Sequence, residues 1–308
     1  MRALVTAEFT DEGQRRLEAL GYDVVRAGWG VTRSVLDREA LVAAGQGAHL
    51  LVTEIEVVDA AVLDALPQVR IVATARGGPV NVDLDACAAR GIPVVHTPGR
   101  NADSVADFTI GLLLAVCRGI APGERHLRDR GWLVDGELPY LHFRGPELAG
   151  RTLGLVGLGA VGRRVRTRAE AGFGMRVLFT DPAVEGSTPL EELLAASDVV
   201  SLHCPRSADT RGLLDARRLA LLRPTAYLLN TAGGGLVDED ALVDALEAGR
   251  LAGAALDVFA IEPLPRDSRL LQAPRLVLTP HLAGAADDVV RHHTEVVCAA
   301  VERLHASP

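Results

Sequence analysis

The sequence predicts an α/β protein made of two doubly wound parallel-sheet domains. Short runs of Val, Leu and Ile alternate with helical stretches along the whole chain. These runs are apolar at nearly every position, which is typical of parallel strands covered by helices on both faces of the sheet. With 308 residues, the chain is long enough for two domains of ordinary size, each with its own core.

The first domain is predicted from five apolar runs. Helical stretches lie between them at 11–20 and 58–66, and residues 31–48 fit one further connecting helix. The amphipathic stretch 285–308 is expected to pack onto this same domain as a helix. The predicted strands are 3–7, 22–27, 49–55, 69–75 and 92–97.

The second domain follows without a long linker or a repeat. It is preceded by "NADSVADFTIGLLLAVCRGI" (101–120), a helix that is apolar on most of its faces and must therefore be buried. The irregular segment after this helix is charged but carries Trp132, Tyr140 and Phe143, so we expect it to pack against something, with a second subunit as one option. The predicted strands are 152–157, 175–181, 197–204, 226–232, 253–259 and 276–282.

The composition limits the partners and the chemistry. The net charge of −8 argues against a nucleic-acid partner, for which a basic face would be expected. No apolar run reaches the roughly 18 residues of a membrane span, and the first ten residues alternate like a strand, so we expect neither a membrane partner nor a signal peptide. All 32 basic residues are Arg, which excludes Lys as a base or as a Schiff-base former.

Cysteine and histidine residues give no sign of a metal site. The neighbouring His292 and His293 project about 100° apart on a helix, which is poor geometry for a shared ion and predicts a solvated helical face. The cysteines lack C-x-x-C spacing, so we expect free thiols in a reducing cytoplasm. They are Cys87, Cys117, Cys204 and Cys298.

The most specific local motif is "LGLVGLGAVGRRV" (153–165). Gly157, Gly159 and Gly162 form G-x-G-x-x-G between a strand and a helix, the fingerprint of a Rossmann unit that holds a pyrophosphate at the helix N-terminus. Asp181 ends the next strand, where an acid binds the adenosine ribose and repels a 2′-phosphate. The motif predicts NAD rather than NADP, although Arg206 or another base could still reach a 2′-phosphate.

Longer stretches make the chain similar to the D-isomer-specific 2-hydroxyacid dehydrogenases. They are "NVDLDACAARGIPVVHTPGRNADSVAD", "LAGRTLGLVGLGAVGRRV", "SDVVSLHCP", "LVDEDALVDALEAGRLAGAALDVFAIEP" and "LTPHLAG". The resemblance implies a flavodoxin-like small substrate domain formed by 1–98 and 285–308, and a Rossmann NAD-binding domain at 99–284. It also implies a homodimer built on residues 101–146.

The family's active site can be transferred position by position. His281 matches the general acid/base that gives a proton to the substrate carbonyl oxygen, and Glu262 matches the carboxylate that hydrogen-bonds its imidazole. Asp257 matches the residue that holds the nicotinamide carboxamide. The other cofactor contacts that the resemblance implies, with His281 itself among them, are Ala160, Val161, Cys204, Pro205, Thr231, Ala232, Gly233, Ala283 and Gly284.

Two loops depart from the family pattern. Relatives read N-x-A-R-G-G where this chain reads "NTAGGG", so Gly233 stands in place of the Arg that binds the substrate carboxylate and polarises the carbonyl. In "TARGGPVNVD", Gly77 and Gly78 are expected to offer backbone N–H groups to that carboxylate, and Arg76 is expected to be the replacement cation. Weaker candidates for the cation are Arg100 and Arg144.

Three functions are consistent with these residues. The first is a working NAD-dependent oxidoreductase that acts on a small, anionic 2-hydroxy or 2-oxo acid or a related substrate. The second is a catalytically impaired protein of the same fold that binds NAD in a regulatory role. The third uses bound NAD for a reaction without net oxidation.

Overall fold

The computed structural model, which describes residues 1–306, divides into two compact units. Unit 1 consists of Met1–Asn101 together with the C-terminal segment from Ala286, and unit 2 consists of Ala102–Ala285. The domain boundaries expected from the sequence lie within three residues of these limits.

Unit 1 is built on a five-stranded parallel sheet in the order β2-β1-β3-β4-β5, which is the flavodoxin-like order. Every residue of β3 and β4 is buried, as the continuous apolar runs predict. The strands are β1 (Arg2–Val5), β2 (Asp23–Arg26), β3 (Leu50–Thr53), β4 (Ile71–Thr74) and β5 (Val94–Val95). The helices are α1 (Asp11–Ala19), α2 (Trp29–Thr32), α3 (Arg38–Gly45), α4 (Ala60–Ala65), α5 (Leu84–Ala89) and, at the C-terminus, α12 (Asp287–Ala306).

The prediction of one helix over 31–48 was wrong, because two short helices occupy this region. Arg33 adopts a left-handed conformation with φ 60°, which ends α2. The side chain of Asp37 then accepts a hydrogen bond from the backbone N–H of Ala40 and begins α3. The local capping residues therefore outweigh the helical periodicity of the stretch.

Unit 2 is built on a six-stranded parallel sheet in the order β7-β6-β8-β9-β10-β11. The direction of strand order reverses between β6 and β8, and ligands of such sheets bind outside the carboxyl ends of the strands at this point. The strands are β6 (Thr152–Val156), β7 (Arg176–Thr180), β8 (Val199–Leu202), β9 (Tyr227–Asn230), β10 (Gly253–Leu256) and β11 (Leu276–Leu278). The helices are α6 (Ala102–Cys117), α7 (Ile120–Arg130), α8 (Ala160–Phe173), α9 (Leu190–Ala196), α10 (Ala216–Leu219) and α11 (Glu239–Glu247), with a 3-10 turn at Arg269–Gln272.

The apolar helix predicted at 101–120 is α6, and it is buried within unit 2 itself. Its buried side chains pack against α8 and against β9 and β10. It ends at Cys117, because Gly119 takes a left-handed conformation from which α7 starts in a new direction. Among residues 1–306, no single helix is long and apolar enough to cross a membrane; only α6 and α7 together, with a 59° bend between them, reach that length and composition.

Candidate active site

The G-x-G-x-x-G loop joins the end of β6 to the start of α8. Gly157 has φ +99°, and a Cβ added to it would lie 2.6 Å from the backbone N of Cys204. A Cβ on Gly162 would lie 2.3 Å from the carbonyl oxygen of Gly157. A Cβ on Gly159 would meet no atom within 4 Å, so open space remains beside the N-terminus of α8. This space and the free N–H groups of the helix start fit a pyrophosphate.

Asp181 lies directly after β7 and is bonded to the same loop. One carboxylate oxygen accepts a hydrogen bond from the backbone N–H of Leu158 at 2.7 Å, and the other accepts one from Ala183 at 2.9 Å. The carboxylate is partly exposed and keeps further acceptor capacity. The position therefore fits an acid that receives the ribose hydroxyls of a dinucleotide.

The remaining predicted cofactor residues lie at the carboxyl edge of the same sheet. Ala160 and Val161 open α8, Cys204 and Pro205 follow β8, and Thr231 follows β9. The hydroxyl of Thr231 lies 2.9 Å from that of Thr109 on α6. Because the carboxyl ends of parallel strands share one edge, the structure places all these residues on the side where a cofactor would bind. The other members of this group are Ala232, Ala283 and Gly284.

His281 and Glu262 form a hydrogen-bonded pair. The Nδ1 atom of His281 lies 2.7 Å from one carboxylate oxygen of Glu262, and the other oxygen accepts a hydrogen bond from the backbone N–H of Phe259 at 2.9 Å. Burial raises the pKa of Glu262, but the bonds from His281 and Phe259, with the charges of His281 and Arg206, outweigh it and hold this pKa below its ordinary value. The carboxylate is therefore ionised and fixes the imidazole so that Nε2 is left for a substrate.

The backbone at His281 is held in an uncommon conformation. His281 has φ +56°, in the left-handed region that a side chain with a Cβ rarely enters. Its backbone N–H donates to the carbonyl oxygens of Asp257 and Thr279 at 2.9 and 3.0 Å. Strained residues of this kind cluster at functional sites, where the surrounding structure compensates for them.

Asp257 holds the loop that carries His281. Its carboxylate accepts hydrogen bonds from the Thr279 hydroxyl at 2.6 Å and from the backbone N–H groups of Leu282 and Ala283, both at 2.8 Å. The residue has 0% exposed surface, so a nicotinamide carboxamide could reach it only if this loop shifted. Asp257 thus positions the loop, and its direct contact with the cofactor stays a prediction.

The three glycines of "NTAGGG" have three different environments. Gly235 needs φ +79°, and a Cβ on Gly234 would lie 1.7 Å from the carbonyl oxygen of Phe259. Gly233 has neither constraint: a Cβ there would meet only the Cβ of Arg206, at 3.3 Å. Asn230 fixes this turn, since its amide donates to the Gly233 carbonyl at 3.0 Å. The backbone at position 233 can therefore carry a side chain.

In unit 1, the loop after β4 carries Arg76, Gly77 and Gly78. The Arg76 guanidinium donates to the carbonyl oxygen of Glu54 across a long 3.4 Å, and the carbonyl oxygen of Gly77 lies 3.0 Å from Nδ1 of His96. Both glycines are exposed, and a Cβ on either one would meet no atom within 4 Å. The loop is therefore accessible, as its expected contact with a substrate requires.

The two weaker candidates for a replacement cation are engaged elsewhere. Arg100 forms an ion pair with Glu54 at 2.8 Å and donates to Nδ1 of His293 at 2.9 Å. Arg144 lies over the ring of Tyr140, with its guanidinium carbon 5.5 Å from the ring centroid. Binding a substrate anion through either side chain would first break these contacts.

The prediction of a solvated face at His292 and His293 was wrong for His293, which is 1% exposed. Because Arg100 can only donate, Nδ1 of His293 accepts and Nε2 donates to the carbonyl oxygen of Glu8 at 2.6 Å. Burial is the main reason that the pKa of His293 lies below its ordinary value. No group of three or more His, Cys, Asp or Glu side chains within residues 1–306 is arranged to hold a metal ion.

A dinucleotide-binding loop and an imidazole–carboxylate pair on one Rossmann sheet are typical of a nicotinamide-dependent dehydrogenase. Comparison with known proteins supports this class. The NAD-binding domain of the D-isomer specific 2-hydroxyacid dehydrogenases matches residues 110–283. A glyoxylate reductase of Thermofilum pendens is 40% identical over 275 residues, 86% of this chain and 77% of that protein. The TT0316 protein of Thermus thermophilus has a similar structure, with a TM-score of 0.83, 39% identity and coverage of 98% of this chain and 97% of that chain.

A second similar structure is an NADPH-dependent glyoxylate/hydroxypyruvate reductase from Sinorhizobium meliloti in complex with citrate. It has a TM-score of 0.80 and 31% identity, with coverage of 99% of this chain and 95% of that chain. The chain belongs to the D-isomer-specific 2-hydroxyacid dehydrogenase family. It is a nicotinamide-dependent oxidoreductase that acts on the CH–OH group of hydroxy acids. The predicted family, fold class and reaction type are thereby confirmed.

Proposed function

We propose that the protein interconverts a small 2-hydroxy acid and its 2-oxo acid with NAD as cofactor, and that His281 moves the proton. The observation that carries this proposal is the 2.7 Å pair of His281 and Glu262 on a strained loop. A pair that served only to fold the loop would not need a partly exposed imidazole, and the side chain of His281 is 63% exposed.

The proposed mechanism assigns one task to each residue. When bound, the nicotinamide supplies hydride-transfer chemistry. In the reducing direction, protonated His281 gives the proton on Nε2 to the substrate carbonyl oxygen, and in the oxidising direction the neutral imidazole takes it back. Glu262 keeps the ring oriented and balances the positive imidazolium. Asp257 fixes the backbone from which His281 projects.

NAD is proposed over NADP because of Asp181. Its carboxylate is fixed by the N–H of Leu158, so it cannot turn away from the adenosine ribose without losing a hydrogen bond of the glycine loop. A 2′-phosphate placed beside it would meet an ionised carboxylate. We propose that the cofactor lies along Gly157, Gly159 and Gly162, with its ribose at Asp181.

The substrate is proposed to be anionic. Gly77 and Gly78 are exposed glycines whose N–H groups can approach a carboxylate closely. Arg76 stays a candidate cation on the same loop, since its one hydrogen bond is long. Position 233, which holds an Arg in relatives, contributes no charge here.

A cytoplasmic homodimer through residues 101–146 is also proposed. Helix α6 is already buried in its own unit, so the segment that lacks a cover is the one after it. Trp132 is 67% exposed and Tyr140 is 76% exposed, and further large apolar side chains of this segment are also exposed. Such a concentration of exposed apolar residues is typical of an interface. They are Ile120, Leu127, Leu133, Leu138 and Leu141.

The proposal is tested by NADH oxidation against a panel of small 2-oxo acids. His281→Asn should lower kcat by about 100-fold to 10,000-fold, because general acid–base catalysis contributes this much. Glu262→Gln should lower kcat less, since the imidazole is retained. Both variants should still bind NADH, as measured by fluorescence, because the glycine loop and Asp181 are intact. NADH binding by the wild-type protein without turnover of any hydroxy or oxo substrate would instead identify a catalytically impaired NAD-binding protein.

A further inference from the structure

Position 233 and Arg206 are neighbours in the structure of unit 2. A Cβ at Gly233 would lie 3.3 Å from the Cβ of Arg206, and among residues 1–306 it would meet no other atom within 4 Å beyond its chain neighbours. Arg206 follows β8 and Gly233 follows β9, which is the neighbouring strand. Side chains that start from these two positions therefore leave the sheet edge side by side.

Arg206 is available for a ligand. It is exposed, and it makes no hydrogen bond and no ion pair with any residue in 1–306. Its situation differs from that of Arg100, which is bound by Glu54 and His293, and from that of Arg76, which donates to a backbone carbonyl. An unpaired guanidinium beside a proposed active site has the chemistry for bidentate binding of a carboxylate.

The charge of Arg206 acts on the acid–base pair. Burial has the largest effect on the pKa of Glu262 and raises it, and the contacts with His281 and Phe259 lower it. The positive charge of Arg206 lowers this pKa further. The guanidinium therefore lies close enough to Glu262 to stabilise its negative charge. A cation whose field reaches the pair can attract the carboxylate of a substrate that takes a proton from His281.

We propose that Arg206 supplies, from the end of β8, the guanidinium that relatives supply from position 233, and that it binds the substrate carboxylate and polarises the reacting carbonyl. The proposal rests on the proposed 2-oxo acid reductase function. No bond to Arg206 forms or breaks; its N–H groups hold the carboxylate and the developing negative charge on the carbonyl oxygen. This assignment also explains the glycine at position 233, because an Arg at that position would be repelled by the guanidinium of Arg206.

The test uses the full-length enzyme with Arg206→Leu, Arg206→Lys and the control Arg211→Leu. Arg211 is also exposed and also makes no hydrogen bond or ion pair within residues 1–306, so its removal changes the charge of the same loop equally. Pyruvate and glyoxylate are the acid substrates, and methyl pyruvate is the neutral one. Binding of oxamate, an unreactive analogue of pyruvate, to the enzyme–NADH complex is followed by NADH fluorescence.

Arg206→Leu should lower kcat/KM on the acids by about 30-fold or more and weaken oxamate binding similarly, as expected for the loss of a bidentate charge pair with the substrate carboxylate. In Arg206→Leu, kcat/KM on methyl pyruvate should fall much less. Arg206→Lys should retain part of the activity on the acids, because the ammonium keeps the positive charge but not the bidentate geometry of the guanidinium. Arg211→Leu should match the wild type in both measurements, and NADH affinity should be the same in all variants.

Position 233 gives a second measurement. Gly233→Arg alone should lower acid activity, because the two guanidiniums crowd each other. In the double variant Arg206→Leu/Gly233→Arg, the cation is returned from the neighbouring strand, and acid activity and oxamate binding should recover at least about tenfold over Arg206→Leu.

Three results would overturn the assignment. Oxamate binding and acid kinetics could be unchanged in Arg206→Leu; they could be lost in Arg76→Leu instead; or Arg206→Leu could weaken NADPH binding alone, which would make Arg206 a contact of a 2′-phosphate. A wild-type enzyme that reduces no 2-oxo substrate would refute the proposed function, and oxamate binding to the NADH complex would still decide the role of Arg206.

Discussion

Two glycine-rich turns at the carboxyl edge of one sheet use their glycines for different purposes. In the turn after β6, Gly157 supplies φ +99° and Gly162 lets the backbone pack closely, since a Cβ there would lie 2.3 Å from a carbonyl oxygen. Gly159 does neither, and the space above it is open. That glycine is therefore explained by a ligand, the pyrophosphate of a dinucleotide.

The turn after β9 also has one glycine with a positive φ, one that packs against backbone and one in open space, but the glycine in open space has another explanation. Gly235 supplies φ +79° and Gly234 packs against the Phe259 carbonyl, while Gly233 is unconstrained apart from Arg206. We infer that Gly159 leaves room for a phosphate of the cofactor, whereas Gly233 leaves room for the side chain of Arg206.

The largest expected effect is on folding, at the glycines that pack against backbone. Gly234→Ala should lower the free energy of unfolding by about 3 kcal/mol or more, because a Cβ 1.7 Å from the Phe259 carbonyl oxygen forces the backbone apart. Gly235→Ala should cost about 1–2 kcal/mol for its positive φ. Denaturant titration measures these losses.

Gly233→Ala is the matched control for this series. The Cβ of Arg206, which it would meet at 3.3 Å, is positioned by the backbone of an exposed loop, and a shift of that loop by a few tenths of an ångström relieves the contact, so stability should change by less than about 1 kcal/mol. If Gly233→Ala proved as destabilising as Gly234→Ala, glycine at 233 would be a folding requirement, and the comparison of the two turns would not hold.

The sequence alone predicted the elements that depend on local pattern. The strand–glycine–helix unit at Gly157 and the acid at Asp181 follow from a motif of fixed spacing, and the pairing of His281 with Glu262 follows from the resemblance to the family. The resemblance to the family also predicts that Gly233 replaces an Arg, because the flanking residues match the family pattern.

The sequence could not predict contacts between distant segments. Arg206 and Gly233 are brought together only because β8 and β9 are neighbours, and no spacing along the chain records that their Cβ positions lie 3.3 Å apart. Burial of His293 depends on Arg100 and Glu8, which helical periodicity does not reveal. The break in the predicted helix 31–48 depends on a left-handed conformation of Arg33. The sequence does not reveal this conformation, because residues other than glycine rarely adopt it.

A second prediction addresses the turn that faces the cofactor. Gly159→Ala should fold normally, since its Cβ meets no atom within 4 Å, but it should weaken NADH binding on the order of 10-fold to 100-fold by filling the space of the pyrophosphate. Fluorescence titration measures the affinity.

Gly172→Ala, in the open part of α8, is the control: it should leave NADH binding unchanged and raise stability by about 0.5–1 kcal/mol. Equal affinities for Gly159→Ala and Gly172→Ala would remove the ligand from the explanation of Gly159.

The smallest effect concerns the cofactor that the first turn accepts. The Asp181 carboxylate should make NADH bind at least about tenfold more tightly than NADPH, a difference of about 1.4 kcal/mol. Asp181→Asn keeps an acceptor for the Leu158 N–H but removes the charge, so it should narrow the difference mainly by improving NADPH binding. Fluorescence titration of both cofactors against both proteins gives the four affinities. Because Arg206 is assigned to the substrate, Arg206→Leu should leave this ratio unchanged. Equal binding of NADH and NADPH by the unaltered protein would mean that a cation near the ribose offsets Asp181. Arg206, an exposed guanidinium at that sheet edge, would then have to be reassigned from the substrate to the cofactor.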